Sequence, residues 1–314
     1  MRKYQVLCAG AYPALQRTLY LAKFFPGRVN RCGRVDLDVA GKAVNAARVA
    51  KRLGLRPVLS GFSGGSSGDE IERLLQQQGL DYSGFWRVAA AVRICQTILP
   101  EDGAPFTELV EEGPVLPDED WGALSRYCCR CLEKMGDAAV ILAGTMPAHA
   151  SRSFYLDVMQ AAKGPVLLDT SGPMLLDCVR ARPDVVKINA DELGATFGGD
   201  ASDPRVLIDM SRRLLVAGAG VVGITQGAGD AYLVTPDAVW RFAIPTVAVV
   251  SPLGSGDSVN AGMIAGLLEG RSLVEAFGFG LAAGSANVET AKPGVLERRR
   301  VEVLYDALRA VQVQ

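Results

Sequence analysis

The sequence predicts an α/β protein with a mainly parallel central sheet that is covered by helices on both faces. Short apolar segments of strand length alternate with longer stretches that have helical periodicity. Long connections between successive strands are what parallel pairing requires, because a tight hairpin reverses the chain direction. Hydrophobic residues make up 49% of the 314 residues and charged residues 21%, which is enough apolar material for a large core.

The individual elements follow from these patterns in chain order. Each predicted strand is a short run rich in Val, Ile, Leu, Cys or Ala, as expected of strands buried on both faces. Each predicted helix is a longer run with apolar residues every three or four positions. The predicted strands are 4–10, 57–62, 138–143, 165–169, 184–188 and 220–225, with a further strand after Asp230. The predicted helices are 41–53, 67–78, 118–135, 151–162, 203–217, 255–269, 272–290 and 297–311.

Two segments, 14–39 and 82–110, break the alternation of strands and helices. Both contain alternating patterns typical of strands, as in 91–98, without an intervening helix. We therefore expect a small secondary sheet that projects from the main one, with plain surface hairpins as the alternative. No internal repeat and no long linker rich in Pro or Ser is present, so a single domain over 1–314 is predicted.

Charge and histidine content exclude several classes of protein. Lys plus Arg is 33 and Asp plus Glu is 34, a net charge of −1, which argues against electrostatic binding of nucleic acid or of an anionic membrane. His149 is the sole histidine, which excludes multi-histidine zinc sites and HExxH chemistry. Its position in a loop after a strand makes His149 a substrate contact or, as the favoured alternative, a surface or capping residue.

The cysteines indicate the cellular compartment. They number seven, and no secretory signal precedes the first predicted strand, so a reducing cytoplasm fits better than a disulfide framework. Cys128, Cys129 and Cys131 are close in sequence, but no second ligand pair accompanies them, and helix packing is favoured over metal binding. No apolar run approaches the length of a membrane span. We expect a cytoplasmic protein without membrane contact.

A G-x-G-D tetrapeptide occurs twice in the C-terminal third. After Asp230 the chain has the pattern of a strand, whereas after Asp257 it has that of a long helix of small and apolar residues. A glycine-rich turn that opens a helix offers unpaired N–H groups and the positive end of the helix dipole to an anion. Asp257 in the first turn is placed to take a proton from an attacking hydroxyl, and a helix N-cap is its alternative role. The segment 254–257 therefore predicts a phosphoryl-transfer site.

Motifs spread along the chain narrow this prediction. The sequence contains no P-loop, no protein-kinase motif set and no Rossmann fingerprint after the first strand. It does contain Pro-Ala-Leu at 13–15, Ala-Gly-Lys-Ala-Val-Asn at 40–45, Arg93, Leu-Asp-Thr-Ser-Gly at 168–172, Val-Lys-Ile-Asn-Ala-Asp-Glu-Leu at 186–193, Thr-Gln-Gly at 225–227 and Gly-Ser-Gly-Asp at 254–257. In type and order these segments resemble the motifs of the ribokinase-like (PfkB-type) carbohydrate kinase family. The resemblance covers nearly the whole chain and is closest to the branch of 1-phosphofructokinases and tagatose-6-phosphate kinases.

The resemblance implies a fold, cofactors and site residues. The fold would be a ribokinase-like three-layer α/β/α sandwich with a small β-sheet lid, formed by 14–39 and 82–110. ATP and Mg²⁺ would be the cofactors, and a small phosphorylated sugar would be the acceptor. Asp257 would be the base, and the amides of Gly254, Ser255 and Gly256 would stabilise the transferring phosphoryl group. The acceptor would contact Gln16, Gly41, Lys42, Asn45 and Arg93, of which Lys42 and Arg93 would converge on its phosphate. The nucleotide would contact Lys187, Asn189, Thr225, Gly227 and Gly256, and Glu192 and Asn189 would hold Mg²⁺ through water.

The sequence departs from the family pattern mainly at the sugar end. Tyr12 stands in place of an asparagine, Gln16 in place of the sugar-binding aspartate, Ala43 in place of a glycine and Cys95 in place of an asparagine. Gln16 offers no carboxylate to two sugar hydroxyls, and Ala43 adds a methyl group where the backbone approaches the ligand. At the nucleotide end, Asp230 adds a carboxylate that would weaken ATP binding unless it points to solvent or a cation.

The sequence therefore predicts an ATP-dependent kinase of a small phosphorylated sugar, with 1-phosphofructokinase-like activity first. A tagatose-6-phosphate kinase, or a kinase of another sugar or polyol, is the alternative within this class. A sugar-phosphate-binding protein without turnover is the alternative outside it, because the sugar end is altered. A homodimer through the small sheet is also expected, since Val92, Ile94 and Ile98 alternate there and need cover.

Overall fold

The computed structural model describes residues 4–147 and 150–314, which contain two β-sheets and the helices around them. The strands are β1 (Gln5–Ala9), β2 (Ala14–Leu21), β3 (Arg34–Ala40), β4 (Arg56–Gly64), β5 (Asp81–Val88), β6 (Ile94–Pro100), β7 (Thr107–Val110), β8 (Ala139–Ala143), β9 (Val166–Asp169), β10 (Val185–Asn189), β11 (Val221–Thr225), β12 (Ala231–Val234), β13 (Val239–Ala243) and β14 (Arg309–Gln312). The helices are α1 (Lys42–Arg52), α2 (Gly65–Gln77), α3 (Asp118–Met135), α4 (Ser153–Ala161), α5 (Gly172–Cys178), α6 (Ala190–Phe197), α7 (Pro204–Ala217), α8 (Ser255–Leu268), α9 (Leu273–Val288) and α10 (Arg298–Ala307).

The main sheet has ten strands in the order β14-β13-β12-β11-β10-β9-β8-β1-β4-β5. The strands from β11 to β5 in this order pair in parallel, and β12, β13 and β14 extend one edge in antiparallel pairs. Because the parallel strands point the same way, their carboxyl ends all meet at one edge of the sheet. The six strands predicted between 4 and 225 are all members of this sheet.

Helices cover both faces of the main sheet. Side chains of successive strand residues point to opposite faces, so Val6 and Cys8 belong to one apolar core and Leu7 and Ala9 to the other. The first core is completed by residues of α1, α2, α8, α9 and α10, and the second by residues of α3 to α7. This arrangement confirms the predicted three-layer α/β/α sandwich.

The small sheet has the strand order β3-β2-β6-β7 and is separate from the main one, as predicted. Its strands do not use the whole of 82–110, however, because β5 pairs in parallel with β4 at the edge of the main sheet. The expectation that 82–88 belongs to the small sheet is therefore wrong. The helix α2 connects β4 to β5 and carries the chain back to the start of a parallel strand, and an alternating pattern does not tell which sheet a strand joins.

Other differences concern short elements. The helices α5 and α6 and the strand β13 were not expected from the sequence, and α10 ends at Ala307 instead of continuing to 311. The segment Arg309–Gln312 forms an edge strand because it pairs with β13, a partner that no local pattern reveals. The seven residues of α5 are too few for a helical repeat to be visible.

The structure tests the predictions for the cysteine cluster and for metal binding, but not the prediction for the sole histidine. Cys128 is buried in the core beneath α3, while Cys129 and Cys131 are half-buried, in agreement with helix packing. Within 4–147 and 150–314 no group of three His, Cys, Asp or Glu side chains is placed to hold a metal ion. No helix in the same ranges is long and apolar enough to span a membrane. His149 lies outside the described residues.

Candidate active site

A cavity of about 210 Å³ opens at the carboxyl ends of β1 and β8. In the main sheet β1 lies between β4, the next strand of this sheet along the chain, and β8, which comes later. The strand order therefore reverses between β1 and β8, and open α/β sheets bind ligands at such a topological switch point. Its walls include residues 10–13 after β1, residues 143–146 at the end of β8, and the cations Lys42 and Arg93. We call it the switch-point cavity.

The N-terminus of α8 is built for close approach by an anion. Gly254 has a φ of 75°, and a Cβ there would lie 2.8 Å from the Cβ of Pro293. A Cβ on Gly256 would lie 2.7 Å from the Nζ of Lys187. A side chain is disfavoured at 254 by both the positive φ and Pro293, whereas at 256 it would have to displace the Lys187 ammonium, which lies beside the first-turn amides. The turn therefore combines the helix dipole with a full positive charge.

Asp257 lies in the first turn of α8 with 6% of its surface exposed. Its Oδ2 accepts a hydrogen bond of 2.9 Å from Nδ2 of Asn45 on α1. Burial, followed by the charge of Asp169, raises the pKa of Asp257 from 3.8 to about 6, against the lowering effects of Asn45, Lys42 and Lys187. A carboxylate with this pKa accepts a proton far more readily than an exposed aspartate near neutral pH.

Asp169, at the end of β9, is the centre of a buried charge network. Its Oδ1 lies 2.7 Å from Nζ of Lys42, and its Oδ2 lies 3.1 Å from Nζ of Lys187. Oδ2 also accepts a hydrogen bond of 2.6 Å from Nδ2 of Asn260 on α8. Burial by itself would raise the pKa of Asp169, but the charges of Lys187 and Lys42 hold it below its usual range. Asp169 therefore stays ionised and holds two lysines in place.

Two adjoining cavities lie at the α8 N-terminus. One, of about 500 Å³, has largely apolar walls that include Val247, Pro252 and Val288. The other, of about 540 Å³, is polar and includes Lys187 and Asn189. Both are lined by Thr225, Gln226, Gly227, Ser255 and Gly256. An apolar cavity that leads into a polar one at a helix N-terminus fits a planar base followed by phosphates.

Comparison with known proteins identifies the family of this fold and site. A family model described as pfkB family carbohydrate kinase matches residues 5–297. The chain belongs to this family. The 1-phosphofructokinase of Bacillus subtilis strain 168 is a family relative that is 31% identical over 288 residues, covering 91% of this chain and 93% of its own. The prediction of a carbohydrate kinase is thereby confirmed.

Solved structures of other proteins share the fold. A possible 1-phosphofructokinase from Thermotoga maritima superposes with a TM-score of 0.87 at 22% identity, covering 99% of this chain and 100% of that one. The tetrameric inhibited form of phosphofructokinase-2 from Escherichia coli gives a TM-score of 0.86 at 22% identity, covering 97% and 99%. At these identities the likeness extends to the fold alone.

The structure gives Lys42 different partners from those implied by the family resemblance. Lys42 lines the switch-point cavity together with Arg93 and Gly41, but its ammonium also lies 3.0 Å from Oε1 of Glu192 in addition to Asp169. Burial by itself would lower the pKa of Lys42, but these two carboxylates raise it above the ordinary value. The charge of Lys42 is thus shared with two anions, which leaves Arg93 as the less occupied cation of the cavity. Neither carboxylate partner is apparent from the local sequence around Lys42.

Arg93 presents an unpaired donor at the cavity. Its Nε is buried and has no hydrogen-bond acceptor among the described residues. A buried guanidinium donor without a partner is costly. Arg93 also lines the switch-point cavity and brings its positive charge to that wall.

The positions that depart from the family pattern do not all reach the cavity. Tyr12 and Ala43 are part of its wall, and the Tyr12 hydroxyl donates to the carbonyl of Pro114 at 3.0 Å. Burial raises the pKa of Tyr12 to about 12. Gln16 and Cys95 are not among the described residues that line the cavity, and Nε2 of Gln16 donates to Oγ1 of Thr97 at 2.9 Å. The amide of Gln16 is thus engaged within the small sheet.

Two further polar residues have local partners. Asn189 and Glu192 form a capping box at the start of α6, in which Oδ1 of Asn189 accepts from the backbone N–H of Glu192. Asp230 pairs with Arg241 at 3.4 Å and is not among the described residues that line either cavity beside α8. Its carboxylate therefore lies toward a cation and outside the space suited to phosphates. Asp169 and Asn260 received no role from the sequence, although a polar residue that ends a buried parallel strand is a usable signal.

The raised pKa of Asp257 predicts a pH dependence. With Asp257 as base, kcat/KM should fall about tenfold per pH unit below an apparent pKa of about 6. The free energy of unfolding should depend on pH in the opposite direction and increase as pH falls, because the folded state holds this proton more tightly than the unfolded state. Its contribution to the free energy of unfolding is present below about pH 4 and is lost as pH rises through about 6. Rate profiles between pH 5 and 8 test this, and a profile that is flat down to pH 5 would contradict it.

Proposed function

We propose that the protein catalyses ATP-dependent phosphoryl transfer to a hydroxyl of a small phosphorylated sugar, with 1-phosphofructokinase-like activity. The observation that carries this proposal is the position of Asp257, buried in the first turn of α8 next to Ser255 and Gly256, which line the paired apolar and polar cavities. Lys42, which lines the switch-point cavity together with Arg93, lies close enough to lower the pKa of Asp257. The Bacillus subtilis relative is named for the same activity.

In this mechanism the chain supplies a base and an anion-stabilising turn. Asp257 takes the proton of the acceptor hydroxyl on Oδ1, since Oδ2 already accepts from Asn45. The amides of Gly254, Ser255 and Gly256 stabilise charge that develops on the transferring group. Lys187, held by Asp169, adds its charge beside Gly256. ATP, when bound, supplies the phosphoryl group, and Mg²⁺ neutralises part of the phosphate charge.

The residues around the paired cavities fit the nucleotide and its metal. Thr225 and Gly227 lie where the apolar and polar cavities meet, and Lys187 and Asn189 line the polar one. Asn189 and Glu192 form the capping box of α6, and Glu192 also contacts Lys42 but is not among the described residues that line either cavity. Mg²⁺ commonly retains several waters and takes few protein ligands besides phosphate oxygens. We therefore propose that Glu192 and Asn189 hold Mg²⁺ through water.

Arg93 is proposed to select phosphorylated acceptors. Arg93→Ala should reduce kcat/KM for fructose 1-phosphate by about 10–100-fold, the effect of losing hydrogen bonds to a charged group, and should leave kcat/KM for fructose little changed. Arg87→Ala is a suitable control, because Arg87 lies on neighbouring β5 but pairs with Asp69 and Glu72 at the surface.

The acceptor assay also separates the alternative functions. Wild-type ATP turnover is measured with fructose, fructose 1-phosphate, fructose 6-phosphate and tagatose 6-phosphate. Faster turnover of fructose than of its phosphates would contradict the phosphate role of Arg93. Preference for tagatose 6-phosphate would identify a tagatose-6-phosphate kinase. Binding of a sugar phosphate without any turnover would identify a sugar-phosphate-binding protein. Four acceptors have to be compared because two residues at the sugar end differ from the family pattern: the amide of Gln16 is bonded to Thr97, and Ala43 adds a methyl group to the cavity wall.

We further propose that the small sheet covers the bound acceptor and that a second copy of the chain covers its outer face. The apolar residues of that face differ from those expected, because Val92 is buried in the core and Ile94 and Ile98 are half-buried. Exposed apolar side chains lie on the edge strands β3 and β7 instead: Val35, Leu37 and Leu109 share one face of the small sheet, and Val110 points to the other. On the shared face Val35, Leu19 and Ile98 form an apolar row across β3, β2 and β6, and apolar surface that faces water is costly.

Light scattering at micromolar concentration tests the proposed homodimer. The expected mass is twice the 33.2 kDa of one chain, and Leu37→Lys should shift the distribution toward the single chain. A wild-type protein that scatters as a single chain would contradict the dimer and leave the role of the small sheet over the acceptor open to the activity assays.

We also propose a cytoplasmic location. The cysteines of the described residues are all unpaired, which supports this proposal.

A further inference from the structure

A buried chain of hydrogen bonds links Asp257 to the small sheet. Oδ2 of Asp257 accepts from Nδ2 of Asn45 at 2.9 Å, and Oδ1 of Asn45 accepts from Nη1 of Arg48 at 3.2 Å. Asn45 and Arg48 lie one turn apart on α1 and expose 9% and 8% of their surface. Both polar ends of the Asn45 amide are therefore occupied, and each by a group of different chemistry.

The guanidinium of Arg48 is held on its other sides as well. Nη2 forms an ion pair with Oδ1 of Asp38 on β3, and Nε donates to Oε1 of Gln78 at 2.9 Å. Nε2 of Gln78 donates in turn to the same oxygen of Asp38 at 3.1 Å. Three partners from α1, β3 and the end of α2 thus define the plane of the guanidinium. Its Nη1 is aimed at Asn45 and has little freedom to turn away.

The chemistry of arginine then decides which way the Asn45 amide points. A guanidinium only donates hydrogen bonds, so the Asn45 carbonyl must face Arg48 and the amide NH₂ must face Asp257. In this orientation Asn45 can donate to Asp257 but cannot accept from it. An ionised Asp257 gains a hydrogen bond, whereas a protonated Asp257 finds no acceptor at this position. An amide free to rotate would serve both forms.

We infer that Arg48 is a positioning residue, which fixes the orientation of the Asn45 amide and so favours the proton-accepting form of Asp257. The inference rests on the proposed function, in which Asp257 is the base. It extends the active site to Arg48, Gln78 and Asp38, none of which touches the acceptor or the nucleotide in the proposed mechanism. It also connects the small sheet to the base, from Asp38 through Arg48 and Asn45.

Other charged groups near this chain stay constant in the test. Asp257 is influenced by Asp169 from β9, Lys42 from α1 and Lys187 from β10. Arg48 faces Asp38 and borders a cavity of about 450 Å³ that is also lined by Lys51, Arg52 and Lys292. The two Arg48 variants below leave all of these groups in place, and only the control variant removes one of them, Arg52. A change in the titration of Asp257 is then attributable to the position of Arg48.

Arg48→Lys is the decisive variant, because lysine keeps the positive charge opposite Asp38 but lacks the second guanidinium nitrogen that donates to Asn45. The lysine ammonium follows Asp38 and leaves Oδ1 of Asn45 without its donor. The acid limb of the kcat/KM profile, which is the fall in kcat/KM at low pH, should move to higher pH by about half to one pH unit. This is the effect of losing one hydrogen bond that favours the ionised form of Asp257. Arg48→Met should move the limb at least as far, since the charge is lost too. Arg52→Met, one turn further along α1, is the matched control and should leave the limb in place.

Several outcomes would decide the question. If the limb stays at its wild-type position in Arg48→Lys while kcat or stability falls, Arg48 has a purely structural role and the inference is wrong. If Arg48→Met does not fold, Arg48→Lys alone decides. If the wild type turns over none of the sugar phosphates, the proposed function fails separately. The pKa of Asp257 is then read without substrate, from the difference in unfolding free energy between each protein and its Asp257→Asn partner across pH 4–8.

Discussion

Asp257→Asn is expected to lower kcat by about 10²–10⁴ and to leave ATP affinity nearly unchanged. The amide keeps the size of the carboxylate and can still accept from Asn45, but it cannot take the proton of the acceptor hydroxyl. Asp257 is not among the described residues that line the paired cavities, so nucleotide binding should not depend on its charge. Steady-state rates and a separate titration with ATP measure the two effects.

Stability supplies the control for this variant. Asp257 is costly to ionise in the folded state, so Asp257→Asn should be more stable than the wild type by roughly 2–3 kcal/mol at pH 8, as the shift from 3.8 to about 6 implies. The gain should shrink as pH falls through 6, where the folded wild-type carboxyl takes up its proton, and should be nearly lost at pH 4, where the unfolded carboxyl begins to be protonated as well. A stable, folded variant with near-wild-type turnover would remove Asp257 from the mechanism.

Asp169→Ala is expected to lower the free energy of unfolding by about 3–5 kcal/mol. The substitution leaves the ammonium of Lys187, which is 3% exposed, without its carboxylate partner, and it removes one of the two partners of Lys42. An uncompensated buried charge costs more than the intact network contributes. Urea unfolding at pH 7.5 measures the loss, provided that the transitions of both proteins fit two states.

An exposed ion pair is the comparison for Asp169. Asp177 lies 3.0 Å from Arg152 near the surface, and Asp177→Ala should change the free energy of unfolding by less than about 1 kcal/mol. The pKa of Asp169 is held below its usual range, so its stabilising effect is present above about pH 4 and is lost only as pH falls through the folded value. The carboxylate of Asp169 is ionised at both pH 6 and pH 8, but the loss in Asp169→Ala should be somewhat smaller at pH 8, because the substitution also relieves its repulsion of an ionised Asp257. A loss as small as that of Asp177→Ala would show that Lys187 finds another partner.

The local patterns of the chain were sufficient for the main architecture. Strands buried on both faces leave short continuous apolar runs, and helices between them leave longer amphipathic ones, so the parallel sheet and its two helical layers were predicted. The segment 254–257 was assigned to a helix N-terminus because small and apolar residues follow it. The helix α6 was missed although Asn189 and Glu192 have the spacing of a capping box, since the same residues were interpreted as a nucleotide motif.

The sequence by itself determined the fold class and the family, and it placed Asp257 at an anion-binding helix N-terminus. Only the tertiary structure decided which charged groups meet. Lys42 pairs with Asp169 across 127 positions of sequence, and Asn45 binds Asp257 across 212. Burial and helical periodicity leave a local signature because neighbouring residues share one environment. An ion pair leaves none, since its two partners come together only when strands and helices distant in sequence pack, and their packing then sets the pKa of each group.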